Sequence, residues 1–465
     1  MKNFITKGKL NKSLKLIAVC VFWLVLWQVL ATIVGNSLLL PSVLETVSAL
    51  GMLLKNTFFY KSVAWTLFRC VIAIILSFLM GICFAWLSYR KNLVRTLMVL
   101  PTSFFKAVPV MAIVIYVILV VKADWVAVVA CFLMCFPIVY TNILEGLDYV
   151  SKPLLEVSTI YKFTKKETIK LIYIPSVMPY FDSAMKIVSG LSWKAVVAAE
   201  VLSVPEFSLG QGMISAKYYL ETPTLFAYIL VIVVLSLMLE KGIIFVTGKL
   251  DARNYMCSKL NKTERISLDD MGKISINLEN VSKSFGSKNV LRNISKNLEA
   301  GSKTAVVGKS GSGKTTLARI IAGLENIDDG NVEFSGSVKI SYLFQEDRLL
   351  PWLNVYDNMA LGMKNIDDEA ITDMAHNLEI EEVLYKRPAE LSGGMKHRVA
   401  LGRTFLADSN LMILDEPFRG LDEGLKSRIV DRLWEKIAAD KTVIVITHSK
   451  EDIELLGINE SIYVE

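Results

Sequence analysis

The sequence predicts a chain of two parts, an all-α bundle of about six membrane-spanning helices followed by a soluble α/β domain. Apolar residues make up 53% of the 465 residues and the mean hydropathy is +0.45, yet nearly all of that excess falls before Phe245. After about Asp251 the charges and regularly spaced glycines of a soluble protein return. The expected division is a membrane domain over residues 1–250, a linker over 251–272 and a soluble domain over 273–465.

Lipid offers the backbone no hydrogen-bond partners, so a chain crosses it as helices of about 20 apolar residues. Six runs qualify: Leu16–Gly35, Val63–Tyr89, Met98–Val121, Trp125–Leu144, Val177–Leu202 and Leu225–Phe245. The third is interrupted by Pro101 and Pro109. The first follows a lysine-rich opening, as a signal peptide would. It is long and lacks a small-residue cleavage pattern, so it reads as a retained helix. With the N-terminus inside, the segments Met1–Lys15, Arg90–Arg95 and Glu145–Pro175 carry 13 Lys and Arg against 4 in the outside segments. That asymmetry is the positive-inside pattern. An even number of spans returns the soluble domain to the cytoplasm. The expected location is therefore the cytoplasmic membrane, multi-pass. The net charge of +6 arises mostly from these short connections, so topology explains it and a nucleic-acid partner is not expected.

Five of the six cysteines (Cys20, Cys70, Cys83, Cys131, Cys135) lie inside apolar runs without metal-site spacing, which points to packing. Arg69, Lys106, Asp182, Lys186, Lys194 and Glu200 sit within or beside the spans. Such residues either line a water-filled path or neutralise one another between helices, and both readings stand here. The stretch Leu154–Pro179 is basic, amphipathic and too polar to span. It forms either a docking loop or a helix lying on anionic lipid.

The soluble domain holds the chemistry. Gly308-Lys309-Ser310-Gly311-Ser312-Gly313-Lys314-Thr315-Thr316 follows the apolar strand Thr304–Val307 and precedes the helix-like Leu317–Gly323. In that context G-x-x-x-x-G-K-[ST] is a phosphate loop, whose glycines let the backbone turn its N–H groups towards phosphate. Lys314 then reaches the β and γ phosphates of ATP, and the Thr315 hydroxyl is placed for Mg²⁺. The strand Leu411–Leu414 ends in Asp415, a second metal-holding candidate, and Glu416, a candidate base for the attacking water. A further strand, Thr442–Thr447, ends at His448, where ligands of parallel sheets bind.

Leu391-Ser392-Gly393-Gly394-Met395, ahead of a helix, resembles the signature of the ATP-binding-cassette family. The resemblance covers roughly Ile274–Glu465. It implies a second anion cradle at Ser392, Gly393 and Gly394 that closes on nucleotide held by a partner subunit. It also implies that Phe285 stacks on adenine, that Gln345 touches the metal and senses the membrane domain, and that Asp422, in Gly420-Leu421-Asp422, crosses the dimer interface.

Glu346-Asp-Arg-Leu-Leu-Pro351-Trp352 looks like the ATPases of the nitrate, sulfonate and taurine importers. Ser192-Trp193-Lys194-Ala-Val-Val-Ala-Ala-Glu200 with Gly210-Gln-Gly212 resembles their permeases. In those permeases a loop patterned E-A-A-x-x-x-G, with a later proline, docks on the ATPase. Glu156 and Pro175 align with it, while Val157, Ser158 and Lys162 replace the alanines and the glycine. The resemblance implies a permease and ATPase fused in one chain and working as a homodimer. It also implies an extracytoplasmic binding protein that delivers a small-molecule substrate, either a sulfonate-, taurine- or nitrate-like anion or a thiamine-precursor-like compound. An exporting half-transporter and a membrane-anchored ATPase without transport are the competing readings.

Overall fold

The computed structural model of the chain describes residues 2–249 and 272–464, so all but the last residue of the expected linker lies outside them. Contacts divide the chain into two units, one of residues 1–149 with 177–250 and the other of 150–176 with 251–465.

The described elements of the first unit are helices: α1 (Lys2–Val34), α2 (Val43–Leu53), α3 (Thr57–Arg90), α4 (Asn92–Ala107), α5 (Val110–Val120) and α6 (Ala123–Asp148). The chain then passes through α7 (Lys152–Ile160) and α8 (Lys165–Thr168) of the second unit. It returns as α9 (Ile174–Ser203), α10 (Leu209–Tyr218) and α11 (Thr222–Lys249). Among the described residues four helices are long and apolar enough to cross a bilayer: Ile17–Val34, Thr57–Arg90, Ala123–Asp148 and Thr222–Phe245. A fifth crossing arises if α4 and α5 count as one span, and these are bent by 108° at their break. Pro109 explains the break, because it bars helical backbone at Val108 and cannot donate to the preceding turn. By length and apolarity, then, the structure gives four or five spans where about six are expected. The remaining segment, Val177–Leu202, does form a helix. Asp182, Lys186, Lys194 and Glu200 make α9 too polar to pass.

Small residues bring α3 and α6 together. Ala73, Ser77 and Ala85 on one, and Ala127 and Ala130 on the other, are buried. A Cβ at Gly81 would lie 2.6 Å from Val139. Close backbone approach through small side chains is how helices gain contact in lipid, where burial itself drives little. Cys131 and Cys135 are buried on one face of α6 with their sulfurs 3.8 Å apart, consistent with packing. The Gly210-x-Gly212 pair has a packing reason as well. A Cβ at Gly210 would meet Glu200, and one at Gly212 would enter the Tyr228 ring.

The second unit carries two sheets. An antiparallel one runs in the order β2–β1–β4, with β1 (Ile276–Phe285), β2 (Lys288–Leu298) and β4 (Asp329–Phe334). A parallel one runs β5–β6–β7–β3–β8, with β3 (Lys303–Val307), β5 (Ile340–Leu343), β6 (Leu411–Asp415), β7 (Thr442–Ile446) and β8 (Glu460–Tyr463). The helices that matter for the site are α12 (Lys314–Ile321), α13 (Val355–Ala360), α14 (Asp368–Asn377) and α15 (Gly393–Leu406). Alternate strand residues feed two separate cores. Val306, Ile413 and Ile444 enter one, and Ala305, Met412 and Val443 the other. A sheet covered on both faces explains why these strands read as unbroken apolar runs. The first core also takes in Leu154, Val157, Ile160, Tyr161, Leu171 and Ile172 from the segment 150–176.

Candidate functional site

Parallel strands β3, β6 and β7 are neighbours, so their C-terminal ends lie along one edge. Three of the residue groups singled out in the sequence sit there. The loop after β3 turns through Gly311 (φ +77°) and Gly313 (φ +106°), a backbone that side chains rarely adopt. A Cβ at Gly313 would lie 2.8 Å from Val290. Gly308 is also tight, since a Cβ there would strike the Val464 carbonyl and come 2.6 Å from Ser312 Oγ. Lys309, Ser310 and Gly311 form the exposed tip. Lys314 folds beneath the loop, its ammonium donating to the Gly308 and Lys309 carbonyls at 2.8 and 2.7 Å.

The loop fits a nucleotide phosphate. Among the described residues Ser312 Oγ is buried without a hydrogen-bond partner, an orphan donor of the kind a ligand oxygen satisfies. Beside it Thr315, in the first turn of α12, donates its hydroxyl to Asp415 Oδ2 at 3.0 Å, while Thr316 follows partly exposed. Asp415 closes β6 and is buried. Burial pushes its carboxyl up to about 6, the Glu416 charge adds to the rise, and the Thr315 hydrogen bond opposes it.

Glu416 leaves the strand in left-handed backbone (φ +54°), held by its own N–H on the Ile446 carbonyl of β7 at 2.9 Å. A non-glycine residue in that region costs of order 1 kcal/mol or more, and such strain concentrates at functional sites. Its Oε1 lies 3.0 Å from His448 Nε2. Thus Glu416 and His448, found on separate strands in the sequence, form a pair.

Other singled-out residues stand apart from this group. Phe285 ends β1, half exposed, with the Lys283 ammonium 5.3 Å from its ring centroid. Gln345 follows β5 and is exposed. Among the described residues no hydrogen bond joins it to Thr315 or Asp415. Ser392 caps α15 by accepting from Met395 N–H, with Gly393 and Gly394 opening the helix. Asp422 caps the helix Glu423–Ile429 by accepting from Leu425 N–H at 2.9 Å.

The segment 150–176 meets this machinery. Glu156, on α7, accepts from both terminal nitrogens of Arg319 at 2.8 Å and also from Arg348. Arg319 lies on α12, five residues after Lys314, and Arg348 lies three after Gln345. Burial alone would raise the Glu156 carboxyl. The hydrogen bonds and charges of Arg319 and Arg348 outweigh it and hold the group below the usual range. Arg348 packs over the Phe344 ring, and Arg403 over the Tyr161 ring. Pro175 is buried where α9 takes over from the π-helical turn Ile169–Tyr173, so its missing N–H falls inside a continuous helix.

Sequence reasoning missed Arg319, Tyr161 and Arg403, because a basic or aromatic residue on a helix carries no signal by itself. His397 is a further residue of this kind. That ring is buried between Asp347 (Nδ1 to Oδ1, 3.1 Å) and the Pro417 carbonyl (Nε2 to O, 2.9 Å), joining the stretches after Gln345 and Glu416.

Comparison with known proteins agrees with this architecture. Residues 291–419 match the ABC transporter family, and residues 73–240 match the family described as binding-protein-dependent transport system inner membrane component. An aliphatic sulfonates import ATP-binding protein of Paracoccus denitrificans is 37% identical over 185 residues, 39% of this chain and 76% of that protein. One from Agrobacterium fabrum is 40% identical over 194 residues, 40% of this chain and 70% of its own. A sulfate/thiosulfate import ATP-binding protein of Bacillus cereus is 32% identical over 213 residues, 41% and 58% of the two chains. The chain therefore belongs to the ABC transporter family, as a membrane-embedded, ATP-hydrolysing importer with its inner membrane component and cytoplasmic ATPase fused in one polypeptide.

Proposed function

We propose that two copies of this chain pair into an importer, fed by an extracytoplasmic binding protein, that moves a small solute inward at the expense of ATP. Lys314 and the loop Gly308–Thr316 hold the β and γ phosphates, and Phe285 stacks on the base. Ser392, Gly393, Gly394 and Asp422 serve the nucleotide of the partner copy. Thr315, Asp415 and Gln345 are the residues to hold Mg²⁺, which, when bound, neutralises charge growing on the phosphate oxygens. Glu416 orients and deprotonates the attacking water, and His448 positions Glu416 and reaches towards the γ-phosphate. Glu156 and Pro175 belong to the loop that carries nucleotide closure to the membrane helices. As to the solute, the relatives' names favour sulfonates or sulfate, and the permease resemblance adds taurine, nitrate and thiamine-precursor-like compounds.

The observation that carries the proposal is the Glu416–His448 pair beside Thr315–Asp415 on one sheet edge. Glu416→Gln keeps the side chain's shape and removes the base. It should lower ATP turnover in proteoliposomes by about 100-fold or more, the scale of general-base catalysis, with ATP binding retained. Wild-type turnover in that variant would defeat the assignment.

A further inference from the structure

A cavity of about 330 Å³ opens in the first unit, lined from α3, from the start of α6 and from the segment joining α9 to α10. That is within the size range of small-molecule sites. Covalent connection tells which side of the membrane it faces. From Asp124 near its start, α6 runs across the bilayer to Asp148 and passes directly into the segment 150–176, which belongs with the cytoplasmic ATPase. Asp124 is therefore at the extracytoplasmic end, where a delivered solute arrives.

Arg69 is the cation in the cavity wall and would be the obvious receptor for an anion. Its hydrogen bonds argue otherwise. Nε donates to the Asp124 carbonyl at 3.0 Å. One terminal nitrogen donates to Glu200 Oε1 at 2.9 Å and to the Phe207 carbonyl at 3.1 Å. The other donates to Asp124 Oδ1 and to the Glu206 carbonyl, both at 3.3 Å. A guanidinium has five N–H groups, and all five are committed. The side chain is also only 4% exposed.

What faces the space instead is aromatic and acidic. Trp65, Phe68, Trp125 and Phe207 supply the rings. Glu206 is exposed, and the Asp124 side chain is 63% exposed. The rings already attract cations, with Lys61 5.4 Å from the Phe207 centroid and Arg69 5.7 Å from that of Trp65. Among the lining residues two carboxylates, Asp124 and Glu206, stand against one cation, Arg69, leaving one negative charge in excess. Aromatic faces with a nearby carboxylate are how proteins hold ammonium groups out of bulk water.

We infer that this cavity is an outward-facing solute site for an organic cation, such as an ammonium-bearing or protonated-ring compound. It is not a site for sulfonate or sulfate. The inference rests on the import reading and narrows its solute class. Arg69 serves as the pin that shapes the wall, tying α3 to the start of α6, the end of α9 and the backbone at 206–207.

The test uses full-length protein in nanodiscs, with labelled choline as the probe at constant ionic strength and ethanesulfonate or sulfate as competitors. Saturable choline binding that neither anion displaces is expected. Trp125→Leu and Asp124→Asn should each weaken it by roughly tenfold. Trp125→Leu leaves every Arg69 bond in place, so its effect is not a collapse of the wall. Displacement by ethanesulfonate would overturn the inference. So would absent choline binding, or binding that these substitutions leave unchanged, since the rings would then be only a membrane-interface belt. ATP turnover and its loss in Glu416→Gln are read on the same preparation, so failure of the cation site is told apart from failure of the import reading.

Discussion

Glu156 and Arg319 form a two-pronged salt bridge, each carboxylate oxygen 2.8 Å from a different guanidinium nitrogen. The bridge ties α7 to the helix that begins at Lys314. Because Arg348 shares the same carboxylate, the stretch that follows Gln345 is tied in too. One side chain thus joins the helix after the glycine-rich loop to the stretch after Gln345. Glu156→Ala removes charge-assisted bonds worth about 1.5–3 kcal/mol each and leaves two arginines facing one another. Solute uptake per ATP hydrolysed should drop several-fold in proteoliposomes, while ATP binding is kept. An unchanged ratio would mean that Glu156 only decorates the surface.

The same bridge sets a pH dependence. The Glu156 carboxyl is held below its usual range in the folded chain. A group with a lowered folded value binds its proton more readily when unfolded. Its stabilisation is therefore complete above about 4.3, the unfolded value, and is lost as pH falls through the lower folded one. Protection from hydrogen exchange over residues 152–160, taken relative to the intrinsic rate at each pH, should hold down to about pH 4.5 and fall below it. Glu156→Gln should remove that acid-dependent step. A step of equal size in the variant would place its origin elsewhere.

Much of the motor was legible because its chemistry fixes both residue type and order. Gly311 and Gly313 take positive φ, Lys314 opens a helix, Asp415 ends a strand, and Glu416 and His448 each follow one closely. The doubly covered sheet even announced its strands as apolar runs. The membrane part was less legible. Apolarity finds a helix that faces lipid, as at Ile17–Val34, but it undercounts one like α9, where Glu200 is buried, Asp182 half-buried, and Lys186 and Lys194 exposed. Glu200 shows why. Its partner Arg69 is 131 residues away, and no local pattern pairs the two. Arg319 and Tyr161 were silent for the same reason, because their meaning lies in what the fold brings to them.

Lys162 stands where the resembled loops have glycine, and its backbone keeps the left-handed turn at φ +50°. The strain costs a lysine about 1 kcal/mol. Its ammonium returns part of that by donating to the Val338 carbonyl at 2.7 Å. Lys162→Ala keeps the strain and loses the bond, whereas Lys162→Gly loses both. In thermal unfolding the glycine variant should therefore match wild type within about 0.5 kcal/mol, with the alanine variant about 1 kcal/mol below it. Equal stability of the two variants would show that the turn is not strained.

The buried pair of Arg69 and Glu200 makes the last prediction. Glu200 is fully buried and accepts from Arg69 at 2.9 Å, from Thr66 Oγ1 at 2.9 Å and from Gly210 N–H at 3.4 Å. Taking two charges out of water is costly, and their attraction roughly offsets the cost, so the pair adds little net stability. Removing one partner is another matter, because it strands the other charge. Arg69→Met alone should destabilise the first unit by about 3–5 kcal/mol, seen as loss of monodisperse protein on extraction and a lowered unfolding temperature. Glu200→Gln should cost less, since the amide oxygen still accepts from Thr66 and Arg69 keeps Asp124. The double substitution Arg69→Met with Glu200→Leu should recover most of the loss, because no buried charge is then left unpaired, the Asp124 side chain being exposed. If the double variant is as unstable as Arg69→Met, the cost lies in Arg69's bonds to the carbonyls of Asp124, Glu206 and Phe207. The guanidinium would then be a backbone clamp first and an ion-pair partner second.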